Sequence, residues 1–360
     1  MAASAAYLLL LASLLAAPFL CLSEVDLSSV PIKDGLSWTF YKQSCPKIES
    51  IIRKQLQKEL KKDIGLAAAL LRIHFHDCFV QGCDGSVLLS GSAGGPSDEQ
   101  ATPPNLSLRK EAFKVINDLS VRIQRQCGLV ASCSDIAALA ARDSVFLSGG
   151  PDYSIPLGRR DGTTFASFDA TMASLPPPFA KTGRLIEMFA VFDLDTVDMV
   201  ALSGGHTIGI GHCAGFVPRL FPTQDPTMDK TLAKKLRNIC PTTNSTNFTD
   251  LDIRTPNIFD NKYYLDLMNR QGLFTSDQDL FIDQRTKGLV IEFAVNQNKF
   301  FEKFIIAMVK MSQISVLTRS QGQIRANCSL INSRYTGDDH LVSVVDAEKE
   351  EVAGSGWSRF

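Results

Sequence analysis

The stretch Leu71-Arg72-Ile73-His74-Phe75-His76-Asp77-Cys78-Phe79-Val80-Gln81-Gly82-Cys83-Asp84-Gly85-Ser86 holds the densest chemistry of the 360-residue chain. From Gly65 to Val80 the chain is apolar with an embedded polar face, which reads as a helix. On a helix, Arg72 and His76 stand at i and i+4 and share a face, with Phe75 beside them. An Arg and a His facing one cavity supply a fixed positive charge and a proton shuttle near neutral pH. His74 lies roughly 200° round the helix from His76, so the two imidazoles do not meet on one zinc ion. Asp77, Asp84 and Ser86 cluster three oxygen donors, and Gly82 and Gly85 let carbonyls turn inward. The spacing of Cys78 and Cys83 suggests a local clasp on that loop. Hard oxygen donors on a constrained loop suit calcium, although the spacing is not that of an EF-hand.

A second constellation is Ala201-Leu202-Ser203-Gly204-Gly205-His206-Thr207-Ile208-Gly209, at the end of an amphipathic segment that Asp195 opens. Two glycines before a His permit a flat ligand to approach the backbone closely. The same pattern also fits a helix C-cap with an incidental His. Further helical segments are expected over Lys47 to Leu60, Cys133 to Leu147, Asp195 to Leu202 and Asn298 to Met311. Strand-like alternation is scarce, so the fold class is mainly α with short β pieces. Loop punctuation concentrates in Ser90 to Pro104, Thr164 to Lys181 (with Pro176-Pro177-Pro178) and Pro241 to Asn257. The third holds the sequons Asn244-Ser245-Thr246 and Asn247-Phe248-Thr249, expected on a secreted surface.

Composition narrows the function class. Net charge is -1, so no electrostatic argument points to nucleic acid or an anionic membrane. Residues 2–22 are nearly all small or apolar and the run breaks at Ser23-Glu24, the pattern of a secretory signal over residues 1–23. Its n-region is atypical in lacking Lys and Arg. Cys21 lies inside it, which leaves eight of the nine cysteines for the mature chain. An even number in a secretory context implies a disulfide framework, and the sequence alone does not choose among the pairings. Beyond Asn332 the chain turns polar and acidic, and residues 333–360 read as a flexible C-terminal extension. That leaves 24–332 as the folded domain.

Together these segments resemble the plant secretory (class III) haem peroxidases. Leu71 to Ser86 looks like that family's distal signature and Leu202 to Gly209 like its proximal one. Phe40-Tyr41-x-x-Ser44-Cys45-Pro46, Ser132-Cys133-Ser134-Asp135, Pro156-Leu157-Gly158-Arg159-Arg160-Asp161, Phe259-Asp260-Asn261-x-Tyr263-Tyr264, Ser276-Asp277-Gln278 and Gly322-Gln323-Ile324-Arg325 follow in the family's order. The resemblance implies a haem b between a distal and a proximal helical domain, with two Ca2+ ions. It implies reduction of hydrogen peroxide and one-electron oxidation of phenolic donors by a secreted monomer, with the vacuole as an alternative destination because of the extension. His206 would be the axial ligand, and Asp277 would accept a hydrogen bond from its other ring nitrogen. His76 would move the peroxide proton, Arg72 would stabilise the developing charge, Asn105 would orient His76, and Glu99 would be the carboxylate behind Asn105. The distal calcium would use Asp77, the Val80 and Gly82 carbonyls, Asp84 and Ser86. The proximal one would use Thr207, Asp252, Thr255, the Ile258 carbonyl and Asp260. Pro176 would meet phenolic substrates. The implied disulfides are Cys45–Cys127, Cys78–Cys83, Cys133–Cys328 and Cys213–Cys240, and Asp135 with Arg159 resembles the family's internal ion pair. Two positions depart from the family pattern: Tyr153 stands where Trp is common, and Gly215 where some members place a substrate-side Phe.

Overall fold

The computed structural model describes residues 25–28, 30–91 and 94–332, so the signal over 1–23 and the extension over 333–360 lie outside the described residues. Twelve α-helices occur among them: α1 (Ile48–Lys62), α2 (Leu66–Val80), α3 (Lys110–Cys127), α4 (Cys133–Leu147), α5 (Phe168–Ser174), α6 (Thr182–Ala190), α7 (Thr196–Ser203), α8 (Lys230–Ile239), α9 (Lys262–Met268), α10 (Thr275–Ile282), α11 (Gln284–Val295) and α12 (Gln297–Met311). Two short strands, β1 (Ile210–His212) and β2 (Phe248–Asp250), pair antiparallel with Gly211 opposite Thr249. The mainly α class with short β pieces holds.

Helix starts follow local chemistry. The Ser132 hydroxyl accepts from Asp135 N–H to open α4, and Asp195 and Asp198 cap each other's backbone at the start of α7. α4 is buried from Cys133 to Val145 on every side, which its Ala-rich turns permit by letting α1, α2 and α3 approach closely. α2 packs against it along most of its length and is therefore itself buried, His74 and His76 included. On the other side α12 packs on α7, and Phe259, Phe293, Phe300 and Phe304 form a fully buried aromatic cluster beneath it. Such ring pairs add about 0.5–1.5 kcal/mol each beyond their buried area. α2 thus presents one half of the site, and the α7 end with α9 and α10 presents the other.

The segment Thr164 to Lys181, read as a loop, contains α5. Its start is set by Ser167, whose side chain accepts from Ala170 N–H, so the cap outweighed the turn residues around it. The segment Pro241 to Asn257 likewise carries β2, which exists through pairing with β1 rather than through its own pattern. Cysteines join as Cys45–Cys127, Cys78–Cys83, Cys133–Cys328 and Cys213–Cys240. Arg159 donates to Asp135 at 2.7 Å with both side chains fully buried, and Tyr41 donates to the other carboxylate oxygen at 2.7 Å. Among the described residues no helix is long and apolar enough to cross a membrane.

Candidate active site

The i,i+4 register of α2 brings Arg72 and His76 together. Arg72 Nε–H donates to His76 Nε2 at 3.1 Å, Nη2 donates to the Pro104 carbonyl at 2.8 Å, and Nη1 donates to Ser107 Oγ at 3.0 Å. His76 Nδ1–H donates to Asn105 Oδ1 at 2.5 Å. That bond fixes the tautomer and leaves Nε2 as the proton-accepting nitrogen. Asn105, itself buried, donates from Nδ2 to the Glu99 carbonyl at 2.8 Å. Glu99 therefore stands behind Asn105 through its main chain, not its carboxylate. Its Oε2 instead accepts from Ala166 N–H at 3.0 Å, and Oε1 is buried without a partner. Phe75 meets the His76 ring edge-on at 5.3 Å. Burial, then the Arg72 charge, pushes His76 down to about 3, and burial brings Arg72 down to about 10. His74 packs against Cys78 Sγ at 3.7 Å and takes no part.

Across from α2, α7 ends in a single tight turn, Gly204–Thr207, that carries His206. A Cβ on Gly204 would fall 2.5 Å from Phe300, so only glycine lets the turn sit this low on α12. A Cβ on Gly205 would stand 3.5 Å from Leu71 Cδ2. The residue before His206 thus faces the residue before Arg72, and the two constellations share one space. His206 Nδ1–H donates to Asp277 Oδ1 at 2.7 Å, with the ring 40% exposed and the carboxylate buried. Asp277 Oδ2 accepts Phe274 N–H at 2.8 Å, and Tyr263 donates to Oδ1 at 3.0 Å. A haem fits this donor set: one imidazole nitrogen is left for the metal on one face, and an Arg and a neutral His occupy the other.

Two oxygen clusters flank these histidines. Beside His76, Gly85 N–H binds Asp77 Oδ2 at 2.9 Å and Ser86 N–H binds Asp84 Oδ1 at 2.9 Å. Asp77 Oδ1 and Ser86 Oγ are buried without partners. Gly82 adopts φ +110°, and a Cβ there would meet the Ser315 carbonyl at 2.6 Å. Val80 ends α2, where carbonyls lack helical partners. Burial, with Asp84 nearby, raises Asp77 well above the usual carboxylate range, and burial also raises Asp84. A divalent cation would relieve both, which fits calcium. Beside His206, Thr207 Oγ1 donates to Asp252 Oδ2 at 3.1 Å, and Thr255 Oγ1 donates to Asp260 Oδ1 at 3.1 Å. Ile258 lies in the same loop with its N–H on the Thr255 carbonyl at 3.0 Å. The pairing of β1 with β2 brings the Thr207 and Asp252 segments together. Among the described residues neither cluster joins three His, Cys, Asp or Glu side chains. Pro176 is half-buried in the run whose Pro178 carbonyl accepts Ser276 N–H at 3.0 Å, next to Asp277.

Residues 52–296 match the peroxidase family. The chain is 60% identical over 322 residues to Peroxidase 12 of Arabidopsis thaliana, covering 89% of this chain and 88% of that one. It is 56% identical over 326 residues to Cationic peroxidase SPC4 of Sorghum bicolor, covering 90% of each. It is 43% identical over 298 residues to Peroxidase 66 of Zea mays, covering 83% of this chain and 91% of that one. The chain belongs to the plant peroxidase family. It is a haem peroxidase, an enzyme that reduces hydrogen peroxide at the expense of a reductant.

In this peroxidase some site residues were not visible to sequence reasoning. Ser107 holds Arg72, although no motif in the sequence points to that serine. Phe274 stands edge-on to His206 at 5.7 Å between ring centroids. Its ring also explains Gly215, where a Cβ would fall 2.8 Å from Phe274 Cε1. Tyr153 is buried with its hydroxyl unpartnered, and we find no structural reason for its replacing Trp.

Proposed function

We propose that this peroxidase binds haem b through His206 Nε2 and oxidises phenolic donors at the edge of the pocket near Pro176. The observation that carries the proposal is the His206–Asp277 pair standing opposite the Arg72–His76–Asn105 chain. When bound, haem supplies the two-electron reduction of peroxide and takes one electron from each of two donors. His76 Nε2 takes a proton from the inner peroxide oxygen and delivers it to the outer one as the O–O bond breaks. Arg72 stabilises the negative charge that builds on the leaving oxygen. Asn105 holds the His76 ring in the required tautomer, and the Glu99 carbonyl holds Asn105. The net reaction converts one peroxide and two phenols to two waters and two phenoxyl radicals. The signal-like run over residues 1–23 and the four disulfides support secretion to the cell wall, with vacuolar sorting by the 333–360 segment as the alternative, and likeness to the family supports a monomer. Wall cross-linking, lignification, peroxide removal and stress response are its proposed roles.

The haem-bound protein should show a Soret band that changes on mixing with peroxide; no response would sink the proposal. The pH profile carries the sharper expectation. His76 acts as a base, its pKa is displaced downward from 6.5 to about 3, and the base form therefore predominates above that value. The rate constant for peroxide, read by stopped-flow absorbance, should stay flat from pH 7 to about pH 4 and fall about tenfold per unit below about pH 3. A decline already starting near pH 6.5 would mean that burial does not hold His76 neutral.

We assign the two oxygen clusters to calcium. The partnerless buried atoms Asp77 Oδ1 and Ser86 Oγ support the distal site, and the Thr207, Asp252, Thr255 and Asp260 set supports the proximal one. At a calcium concentration of one hundred times Kd, each ion adds about 2.7 kcal/mol of stability. Chelation should therefore lower the melting temperature by several degrees, and added calcium should restore it. An unchanged melting curve would argue against both sites.

A further inference from the structure

We propose that Tyr263 tunes the proximal ligand by sharing one carboxylate oxygen of Asp277 with His206. The inference rests on the reading of His206 as the axial ligand. Asp277 Oδ1 accepts two hydrogen bonds, from His206 Nδ1–H at 2.7 Å and from the Tyr263 hydroxyl at 3.0 Å. Its partner oxygen Oδ2 is taken by Phe274 N–H at 2.8 Å, a main-chain bond that also caps α10. Each donor draws electron density from the carboxylate, and the phenol does so on the very atom that faces the imidazole. Tyr263 and Asp277 are both 2% exposed, so water does not dilute the effect. A phenol that merely needed a buried partner had another choice. Neighbouring Tyr264, equally buried, donates to the Val200 carbonyl at 2.9 Å and leaves the carboxylate alone. Packing holds the arrangement, since the Tyr263 ring meets His206 edge-on at 6.1 Å and Tyr264 at 5.0 Å.

The direction follows from charge. An Asp277 Oδ1 bonded to His206 alone would pull the Nδ1 proton further, make His206 more imidazolate-like and stabilise ferric over ferrous iron. The Tyr263 hydroxyl opposes that pull and so raises the reduction potential. Tyr263 is a positioning residue, acting on the iron through Asp277 and His206.

The test is the midpoint potential of the haem-bound enzyme with the iron–imidazole stretch of its ferrous form. Tyr263→Phe should shift the ferric/ferrous ratio about tenfold toward ferric, or about 59 mV downward for one electron, and raise the stretching frequency. Tyr264→Phe should move neither. An unchanged or higher potential in Tyr263→Phe, or an equal shift in Tyr264→Phe, would overturn the inference. Should Tyr263→Phe fail to fold or hold haem, 3-fluorotyrosine at position 263 provides a more acidic donor of the same shape. It should move the potential upward, and no movement would overturn the inference. His206→Ala separates the two levels. If the iron–imidazole band survives it, the axial assignment fails and the inference with it. If the band is lost while Tyr263→Phe stays silent, only the role of Tyr263 falls.

Discussion

Replacing His76 by Leu should slow the reaction with hydrogen peroxide by about 10²–10⁴-fold while haem stays bound. The reason is the division of labour on the imidazole. Nδ1–H is committed to Asn105 at 2.5 Å, so Nε2 is the one atom that can take the peroxide proton. Leucine fills a similar volume in α2, where the neighbouring helices bury position 76, and it offers no acceptor. Arg72→Leu removes a charge rather than a base, and about 10²–10³-fold is expected from loss of a charge-stabilising donor. The double variant should lose less than the product of the two effects, because Arg72 Nε–H bonds His76 Nε2 and the pair acts as a unit. Asn105→Val should fall between wild type and His76→Leu, since the ring loses its orientation and not its nitrogen. Stopped-flow measurement of peroxide consumption at saturating donor orders the four variants against wild type. A His76→Leu enzyme as fast as wild type would remove His76 from the reaction.

How much of this was legible beforehand depends on the range of each interaction. The meeting of Arg72 with His76 is a helix-periodicity statement, and α2 formed where the apolar run lies. The same locality makes Asp77, Asp84 and Ser86 readable as one loop. His206 with Asp277 is different. The two are 71 residues apart, and nothing in the spacing pairs them; the resemblance to a family did. Where that resemblance was silent, the reading missed contacts of the same kind. Tyr263 lay inside a quoted motif with no role assigned, because a phenol pattern does not reveal which carboxylate it will meet. Glu99 shows a subtler loss: the residue is in place, but its carbonyl holds Asn105, and sequence cannot separate main-chain from side-chain use. Helix α5 escaped because one capping Ser decided a seven-residue helix in a Pro-rich stretch.

Breaking Cys133–Cys328 should destabilise the folded enzyme by about 5 kcal/mol, the largest loss expected from any of its four disulfides. In the chain-entropy account the effect grows with the loop that the bond closes, and this one spans 195 residues against 82, 27 and 5 for the others. The native geometry gives the bond a definite task. Buried Asp161 accepts Cys133 N–H at 3.1 Å, Ser134 N–H at 3.0 Å and Arg325 N–H at 2.9 Å, so it ties the start of α4 to the segment bearing Cys328. Arg325 in turn donates from Nη2 to the Gly85 carbonyl at 2.6 Å, under the loop that carries Asp84 and Ser86. Without the bridge that polar network must order the C-terminal segment alone. A Cys133→Ala/Cys328→Ala enzyme should therefore melt about 8 °C lower, given an unfolding entropy of about 2.1 cal/mol/K per residue in a domain of this size. Removing Cys78–Cys83 should cost only about 2 kcal/mol by the same loop argument. Denaturant titration of both variants under non-oxidising conditions decides the matter. If losing the five-residue clasp costs more, the geometry of the loop from Asp77 to Ser86 rather than chain entropy governs what these bridges contribute.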